Sequence, residues 1–424
     1  MDNVQRFNRL ARFGGMALAS CVSALADKPK QIDVEVSAGR SALINAPVIV
    51  ALPDTVSLYT GDGHFVLQSG SDTIPAQVFY QEGRAFLAFI VNALSAQERR
   101  AYRLFWQANS SESQSGVEIN ESQKGVEVLF IQPNPSTKKR ERHLFTRYLT
   151  PSLPNKPFFY PILTPEGSHF TRQWPLEEIA TDTHDHPHHR GLWFTHGEVN
   201  GVDFWSEQKA FGKTVHTLTK NPVSGSVFGG FQASTAWITP KGEHIAHDER
   251  TIRIFPLSNG DTLFDFDITL TANKVDLVMG DTKEGMFGLR LPDTLAPSKK
   301  LGGSMINSRG QKLAALWGKP AEWVDYFGTI GGKTYGVAML DGAANLRHPQ
   351  TWHARDYGLF AINPFGLHDF GLGAKGAGDY VIPVGKSLSL KYRLVFHHGN
   401  TDEANIANHY TTYSEPPQVK VTVR

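Results

Sequence analysis

The sequence predicts an all-β protein, in which a small N-terminal β-sandwich is followed by a large antiparallel β-sandwich. Three observations favour this fold class. Short runs rich in branched and aromatic residues alternate with turn signals along most of the chain. The 39 glycines and 24 prolines supply those turns, and only DEANIANHYTTY near the C-terminus has helical character. A length of 424 residues with 40% hydrophobic residues favours two domains with a sizeable core.

Residues 1–26 are typical of a bacterial export signal. Three arginines precede the apolar run FGGMALASCVSALA, and the small-x-small triplet ALA at 24–26 fits a cleavage site. The run is too short to span a bilayer, and a short N-terminal core helix is the competing interpretation. The segment LASC at 18–21 also resembles a lipobox, which makes Cys21 a candidate lipid anchor. We therefore expect an exported protein, periplasmic or extracellular, either free or as an outer-membrane lipoprotein.

The N-terminal β-sandwich is predicted over residues 31–108, where six short strand candidates lie between loops such as GDG and EGR. The polar stretch NSSESQSG at 109–116 is typical of a linker. The second domain, 117–424, contains longer strand candidates such as TLFDFDITLTA and LSLKYRLVFHHG. The helix candidate near the C-terminus has Thr401 or Asp402 as its predicted N-cap.

Composition and missing motifs exclude several classes of function. A formal net charge of +1 argues against a general nucleic-acid or membrane-surface binder, and is compatible with a sugar as substrate. We find no apolar run long enough for a transmembrane helix. The sequence has no P-loop and no G-x-G-x-x-G after a strand, so no nucleotide cofactor is expected. It also lacks G-x-S-x-G and H-E-x-x-H.

Five of the 17 histidines fall in HDHPHHRGLWFTHG, residues 184–197. On a strand, alternate side chains share a face, so His186 and His188 would point the same way and could bind one divalent metal ion. Pro187 requires an edge strand, a bulge or a loop. We predict His186 and His188 as catalytic groups or metal ligands, and Arg190, Trp193 and His196 as substrate contacts. Ordinary polar and core histidines are the alternative.

Two further clusters carry candidate chemistry. In DTKEGMFGLRL, residues 281–291, Glu284 is a candidate general base and Arg290 a candidate substrate contact; a solvated turn is the alternative. The stretch LRHPQTWHARDYGLFAINPFG, 346–366, combines aromatic residues with histidine, arginine and aspartate, as a carbohydrate cleft does. Its candidates are His353 for catalysis and His348, Trp352, Arg355 and Asp356 for substrate binding, against a structural loop with internal salt bridges.

The segment GEVNGVDFWSE, which follows the first histidine cluster, adds oxygen acceptors in Asn200 and Asp203. Turn and cap chemistry is at least as plausible there as a role in binding.

The stretches HPHHRGLWFTHGEVNGVDFW, DTKEGMFGLRL and TWHARDYGLFAINPFG together resemble the PmoA-like family of secreted bacterial proteins. The similarity runs from about residue 155 to about residue 398, with the motifs in order. The family label, methane oxygenase PmoA, is a weak guide, because a true subunit of that enzyme is an integral membrane protein. The resemblance implies export by polysaccharide-degrading bacteria and a galactose-mutarotase-like supersandwich. It assigns no catalytic residue.

The favoured hypothesis is an exported carbohydrate-active enzyme, a lyase or hydrolase on uronate-containing or oxidised glycans, with or without one divalent metal ion. In it, His186 and His188 bind the cation or one of them acts as acid, and Arg190 neutralises a carboxylate. Glu284 or His353 moves the proton, while Trp193 and Trp352 stack on the poly- or oligosaccharide. The alternatives are a non-catalytic surface glycan-binding protein and, more distantly, a copper oxygenase.

Overall fold

The computed structural model describes residues 31–53, 63–108, 115–134, 136–137, 139–150, 156–208 and 210–424. The predicted export signal, Cys21 and most of the predicted linker lie outside these residues. Within them, no helix is both long enough and apolar enough to cross a membrane.

The described part of the chain is built almost entirely from antiparallel strands, which confirms the predicted all-β class. The strands are β1 (Ile32–Ser37), β2 (Leu43–Ala51), β3 (Gly63–Ser69), β4 (Asp72–Gln81), β5 (Arg84–Leu94), β6 (Arg99–Ala108), β7 (Gly116–Ser122), β8 (Gly125–Pro133), β9 (Arg140–Leu149), β10 (Phe158–Ile162), β11 (Leu192–His196), β12 (Lys213–Val223), β13 (Gly229–Ile238), β14 (His244–Pro256), β15 (Thr262–Ala272), β16 (Leu277–Met279), β17 (Gly285–Arg290), β18 (Ser304–Asn307), β19 (Trp323–Ile330), β20 (Lys333–Asp341), β21 (Thr351–Ala354), β22 (Leu359–Asn363), β23 (Tyr380–Ile382), β24 (Ser387–His398) and β25 (Gln418–Val423).

The N-terminal domain is one seven-stranded sheet with the order β2-β5-β4-β3-β6-β1-β25. Val48 near one end of the sheet shares a core with Val34 and Val421 near the other end, so the sheet curls around its own interior. The last strand, β25, pairs with β1 in the register Ile32↔Val423. The second domain, predicted as 117–424, therefore stops short of β25. The physical reason is that β25 covers the otherwise open edge of β1.

The large domain is a sandwich of two eight-stranded antiparallel sheets, as predicted. Their orders are β21-β22-β17-β11-β10-β9-β8-β7 and β12-β13-β14-β15-β24-β20-β19-β18. Side chains from both sheets form one core: the ring of Phe266 on β15 lies 4.5 Å from Phe287 on β17 and 6.1 Å from Phe194 on β11, measured between centroids. Strands β16 and β23 form a separate two-stranded sheet.

The first of these sheets also has a covered outer face, turned away from the sandwich core. On β17, Phe287 and Leu289 point into the core, so Gly288 and Arg290 point outward. A row of paired positions then runs across this face through β10, β11, β17, β22 and β21: Phe158, Trp193, Gly288, Ala361 and His353. This row places His353 of the third motif on the same face as the first two motifs.

The predicted helix near the C-terminus is present as α1, Ile406–Ser414. The predicted N-cap was wrong, because the helix begins after Asn405, which has a positive φ of 55°. The Thr401 hydroxyl instead donates to the buried carboxylate of Asp325 at 2.5 Å. The preceding turns, not the helix, occupy residues 401–405.

Candidate active site

A cleft of about 760 Å³ lies on the outer face of the large-domain sheet that contains β11, β17 and β21. It is lined by side chains from all three sequence motifs and from residues 197–208, which are distant in the sequence. The titratable residues that line it are His186, His188, His189, Glu198, Asp203, Lys283, Glu284, His353, Arg355 and Tyr357. The four predicted catalytic residues are therefore brought together in one place, with Arg355 beside them.

The histidine segment is a loop with a turn at Pro187–His188, and β11 begins only at Leu192. Alternation along a strand therefore does not set the directions of its side chains. The His186 ring is nearly parallel to those of His189 and Tyr357, with centroids 4.8 Å and 5.4 Å away. The His188 ring lies 4.4 Å from that of His189. The turn, with a positive φ at His186, gathers three imidazoles at the cleft.

A buried arginine outside all three motifs, Arg172, fixes this loop. Its side chain is fully buried, and its guanidinium donates to four backbone carbonyls. These are the carbonyl oxygens of Trp174, Thr183, His186 and His189, at 3.0 to 3.2 Å. The role of Arg172 was not predicted from the sequence, because a single arginine among prolines and aromatic residues resembles no known motif.

Asp185 completes this anchor. Its carboxylate accepts from Arg172 at 2.5 Å and from Arg290 at 2.6 Å. Burial raises the pKa of the Asp185 carboxyl, but the guanidinium groups of Arg290 and Arg172 outweigh burial and hold the pKa below its ordinary value. Arg290 was predicted to bind substrate. It is fully buried and bonded to Asp185, so it supports the loop instead.

Arg190 was predicted to neutralise a substrate carboxylate, and the structure contradicts this. Its guanidinium donates to Glu207, whose carboxylate also accepts from Lys156 Nζ at 2.6 Å. The Lys156 side chain is fully buried, and burial lowers its pKa to about 8. Arg190 is thus occupied by an internal ion pair. Sequence reasoning missed both Lys156 and Glu207.

Three more predicted substrate contacts lie in the interior. Trp193 is 2% exposed, and its ring packs 4.9 Å from that of Trp205. Trp352 is fully buried and donates from Nε1 to the Ala321 carbonyl at 2.9 Å. His196 is also fully buried and is hydrogen-bonded through Nε2 to the Gly280 carbonyl at 2.7 Å. Neither indole can stack on a sugar and His196 cannot contact one, so these predictions were wrong.

His348 and Asp356 do not line the cleft. His348 Nδ1 lies 2.7 Å from the Asp341 carboxylate, and its Nε2 lies 3.1 Å from the Tyr410 hydroxyl on α1. This network joins the helix to the large domain. Asp356 lies in the turn between β21 and β22, and its backbone carbonyl accepts from the Ser298 amide at 3.0 Å. Both predicted substrate contacts are therefore structural.

His353 is held in one tautomer. Its Nδ1 lies 2.8 Å from the carbonyl oxygen of Lys283, and because a carbonyl can only accept, Nδ1 carries the proton and Nε2 is the basic nitrogen. Burial lowers the pKa of His353 to about 4, and burial likewise lowers that of His188 to about 3. Both imidazoles are neutral at pH 7, so they can accept a proton there but do not donate one as imidazolium.

Arg355, Glu284 and Tyr357 provide the other functional groups. The Arg355 guanidinium lies 5.5 Å from the ring of Trp317 and 5.6 Å from that of Tyr357, and no carboxylate of the described residues forms an ion pair with it. Glu284 Oε1 lies 3.5 Å from Lys283 Nζ. Burial raises the pKa of Tyr357 to about 12, so its hydroxyl keeps its proton at neutral pH.

Asn200 and Asp203 of the segment GEVNGVDFWSE have the turn and cap roles that were the alternative to binding. Asp203 Oδ1 accepts from the amides of Trp205 and Ser206 at 2.7 and 3.0 Å. Asn200 bonds the backbone of Asp276 and Val278 at 2.9 and 2.6 Å. Of the two, Asp203 lines the cleft.

One wall of the cleft is braced by Asp281. Its carboxylate accepts from the amides of His368, Gly376 and Gly378 at 2.9 to 3.1 Å, which holds the glycine-rich loop that follows β22. Within that loop, the ring of Phe370 lies 6.2 Å from that of His353. The loop therefore supports the buried side of the His353 imidazole.

The metal hypothesis for His186 and His188 gains no support from geometry. Their ring centroids are 5.8 Å apart, and His186 Nδ1 lies 3.2 Å from an Asp185 carboxylate oxygen. Among the described residues, no group of three or more His, Cys, Asp or Glu side chains is arranged to hold a metal ion. The pair does not by itself make a metal site, and no catalytic step below depends on one.

The family of unknown function DUF6807 matches residues 138–411, a range that contains all three motifs. This chain belongs to DUF6807. The family description assigns no function to DUF6807, and no curated protein matches the sequence.

Solved structures similar to this DUF6807 protein include two from Enterococcus faecalis. One is described as a protein in glycosyl hydrolase family 38, with 10% identity, a TM-score of 0.38, and coverage of 94% of this chain and 48% of that one. The other is an alpha-mannosidase from strain V583, with 10% identity, a TM-score of 0.38, and coverage of 92% and 46%. The chain spans about half the length of these structures, and similarity at this level supports no inference about function.

Proposed function

We propose that this protein is a carbohydrate-active enzyme, a lyase or hydrolase acting on uronate-containing or oxidised glycans. The observation that carries the proposal is the convergence of the three motifs on one cleft, where His353 and His188 are neutral and Arg355 forms no ion pair within the described part of the chain. A volume of about 760 Å³ is within the range of small-molecule and cofactor sites. Neutral imidazoles beside a carboxylate and a free cation suit proton abstraction next to a carboxylate or keto group.

The roles differ from those that the sequence suggested. His353 is the proposed proton acceptor, since its Nδ1 is tied to Lys283 and its Nε2 is the basic nitrogen. In a hydrolysis, Glu284 would be the second acid–base group. Arg355 takes the anion-binding role first given to Arg190. Burial of Trp193 and Trp352 removes the predicted stacking surfaces from the enzyme hypothesis and the glycan-binding alternative alike. The enzyme is favoured because a binding protein has less need of the histidines and Glu284 that line the cleft.

Substitution of His353 by Gln is expected to lower kcat by about 10²- to 10⁴-fold, the usual contribution of a general base. Because His353 must be unprotonated to act, wild-type activity should fall only as the pH falls through about 4. The assay is product release from plant and algal polysaccharides across that pH range. His244→Ala, an exposed histidine on β14, is the control and should keep full activity. Wild-type rates in a correctly folded His353→Gln variant would contradict the proposal.

We also propose that the protein is exported and that its resemblance to the PmoA-like family reflects common function. Mass spectrometry of the protein from its host tests export: a chain starting at Asp27, or at a lipidated Cys21, supports it, and an intact residue 1–26 segment contradicts it.

The metal hypothesis is tested by elemental analysis of the wild-type protein beside His188→Ala. Near-stoichiometric metal that is lost in the variant supports it, whereas its absence after reloading rejects it.

A further inference from the structure

We infer that Arg355 forms a subsite for the carboxylate of a uronosyl residue, and that the cleft cleaves its substrate by β-elimination with His353 as base and Tyr357 as proton donor. This inference rests on the proposed function and deepens it, because it selects a lyase rather than a hydrolase. It also names the residue that recognises the acidic sugar.

Arg355 differs from the other arginines near the histidine loop in its ion pairing. The other arginines near the histidine loop form internal ion pairs. Arg172 and Arg290 pair with Asp185, and Arg190 pairs with Glu207. Arg355 lines the cleft, and within the described residues it forms no ion pair. A guanidinium that has no carboxylate partner, and that offers a planar fork of donors, matches a carboxylate bidentately.

The Arg355 guanidinium is also preorganised to bind an anion. The Arg355 side chain is bounded by the rings of Trp317 and Tyr357, at 5.5 and 5.6 Å, which restrict its rotamers. The Tyr357 ring is in turn stacked on that of His186, at 5.4 Å and an interplanar angle of 3°. A cation held in this way loses little side-chain entropy when it binds an anion.

The position of His353 relative to Arg355 suits the role of the base. His353 is the third residue of β21, and Arg355 follows two residues later, so both side chains start from the same face. Both line the cleft, and the charge of Arg355 contributes to lowering the pKa of His353. A carboxylate held by Arg355 would place the adjacent C5 proton of the sugar on the side of the cleft where the basic Nε2 of His353 lies.

The reaction balances without a co-reactant. His353 Nε2 takes the C5 proton, the C5 electron pair forms the C4=C5 double bond, and the C4–O glycosidic bond breaks. The Tyr357 hydroxyl gives its proton to the departing oxygen, and a proton passes from His353 to the Tyr357 phenolate through solvent to restore both groups. Pairing the carboxylate with Arg355 stabilises the enolate-like charge that develops at C5.

Hydrolysis fits the cleft less well. Glycoside hydrolases use two carboxyl groups that flank the scissile bond. Among the described residues, three carboxyl groups line this cleft. Asp203 is engaged by the backbone of its own turn and Glu284 lies 3.5 Å from Lys283 Nζ, so Glu198 alone remains of the pair that hydrolysis needs. Elimination uses His353 and Tyr357, which are both neutral at pH 7, together with the guanidinium of Arg355.

The test compares wild type with Arg355→Met on alginate and polygalacturonate, on their methyl esters, and on their carboxyl-reduced neutral forms. Unsaturated ends are followed by ultraviolet absorbance and reducing ends by a colorimetric assay. Wild type should form unsaturated ends from at least one free-acid polymer. Arg355→Met should lose about 100-fold in kcat/KM on that free acid, as expected for a lost charge pair, but only a few-fold on its methyl ester. Arg309→Met, an exposed arginine paired with Glu322, is the matched control.

Two further measurements separate binding from chemistry. Calorimetry with an oligouronate trimer should show binding to wild type and to Tyr357→Phe, and a loss of binding in Arg355→Met. Tyr357→Phe should bind but eliminate slowly. Thermal melts followed by circular dichroism establish that each variant is folded.

The possible results distinguish failure of this inference from failure of the proposed function. Reducing ends without unsaturation, at rates that Arg355→Met does not change, overturn the inference and leave the proposed enzyme standing. Unsaturated ends formed equally well by Arg355→Met reject the carboxylate subsite. If no polymer in the panel is cleaved by wild type, the proposed function fails, and the inference fails with it.

Discussion

Replacement of Arg172 by Met is expected to lower the free energy of unfolding by about 3 to 5 kcal/mol, the usual effect of removing one partner of a buried ion pair. The side chain is fully buried, and its removal leaves four backbone carbonyls without their donor. The Asp185 carboxylate loses one of its two cations. Because the same contacts hold the histidine loop, the variant should also lose activity under conditions where it remains folded.

Urea unfolding followed by tryptophan fluorescence measures this effect, since most of the tryptophans lie in the large domain. The control is Arg142→Met, in which an arginine whose side chain is 63% exposed loses its pair with Glu118. Exposed pairs of this kind contribute about 1 kcal/mol or less. An Arg172 variant as stable as this control, with an active cleft, would show that the loop does not depend on the buried guanidinium.

Glu207→Gln is the substitution with the second large effect. It removes the carboxylate between Lys156 and Arg190 and leaves two neighbouring cations in the interior, so a loss of about 3 to 5 kcal/mol is expected. Adding Lys156→Met should recover part of the loss, because one of the unpaired charges is then gone. Chemical denaturation of the two single variants and the double variant gives this coupling energy. A double variant whose loss equals the sum of the single losses would rule out the coupling.

The same lysine predicts the pH dependence of stability. The pKa of Lys156 is about 8 in the folded protein, lowered by burial from 10.5, so the unfolded chain binds more protons between these values. This contribution to stability therefore rises as the pH increases from about 8 to about 10.5. The comparison is the slope of unfolding free energy against pH in wild type and in Lys156→Met. Equal slopes in the two proteins would show that Lys156 is not the source.

The sequence supports the fold class and the position of the site because both depend on local signals. Strand alternation and turn residues indicate secondary structure directly. The clustered histidines mark one stretch of the sequence as a candidate site, whatever its place in the fold. Trp193 and Trp352 could not be assigned in the same way. Trp193 faces outward and is buried by the loops that cover the sheet, whereas Trp352 points into the sandwich core. Strand periodicity reveals neither those loops nor which face of β21 is turned to the core.

The choice between Arg190 and Arg355 shows the same limit for charge. Both arginines lie in motifs, and both suit an anion. Glu207 pairs with Arg190 across a turn whose shape depends on Asp203 and on the buried Lys156. Which of the two arginines can bind an anion therefore depends on Glu207, and nothing in the sequence indicates that Glu207 pairs with Arg190.

The pairing of β25 with β1 bears on the order in which the chain can fold during synthesis. Topologically, the whole large domain is inserted between β6 and β25 of the N-terminal sheet. That sheet cannot acquire its seventh strand until the ribosome has translated the large domain, so its completion is a late event. Until then β1 is an open edge strand, and an open edge is available for pairing with another chain.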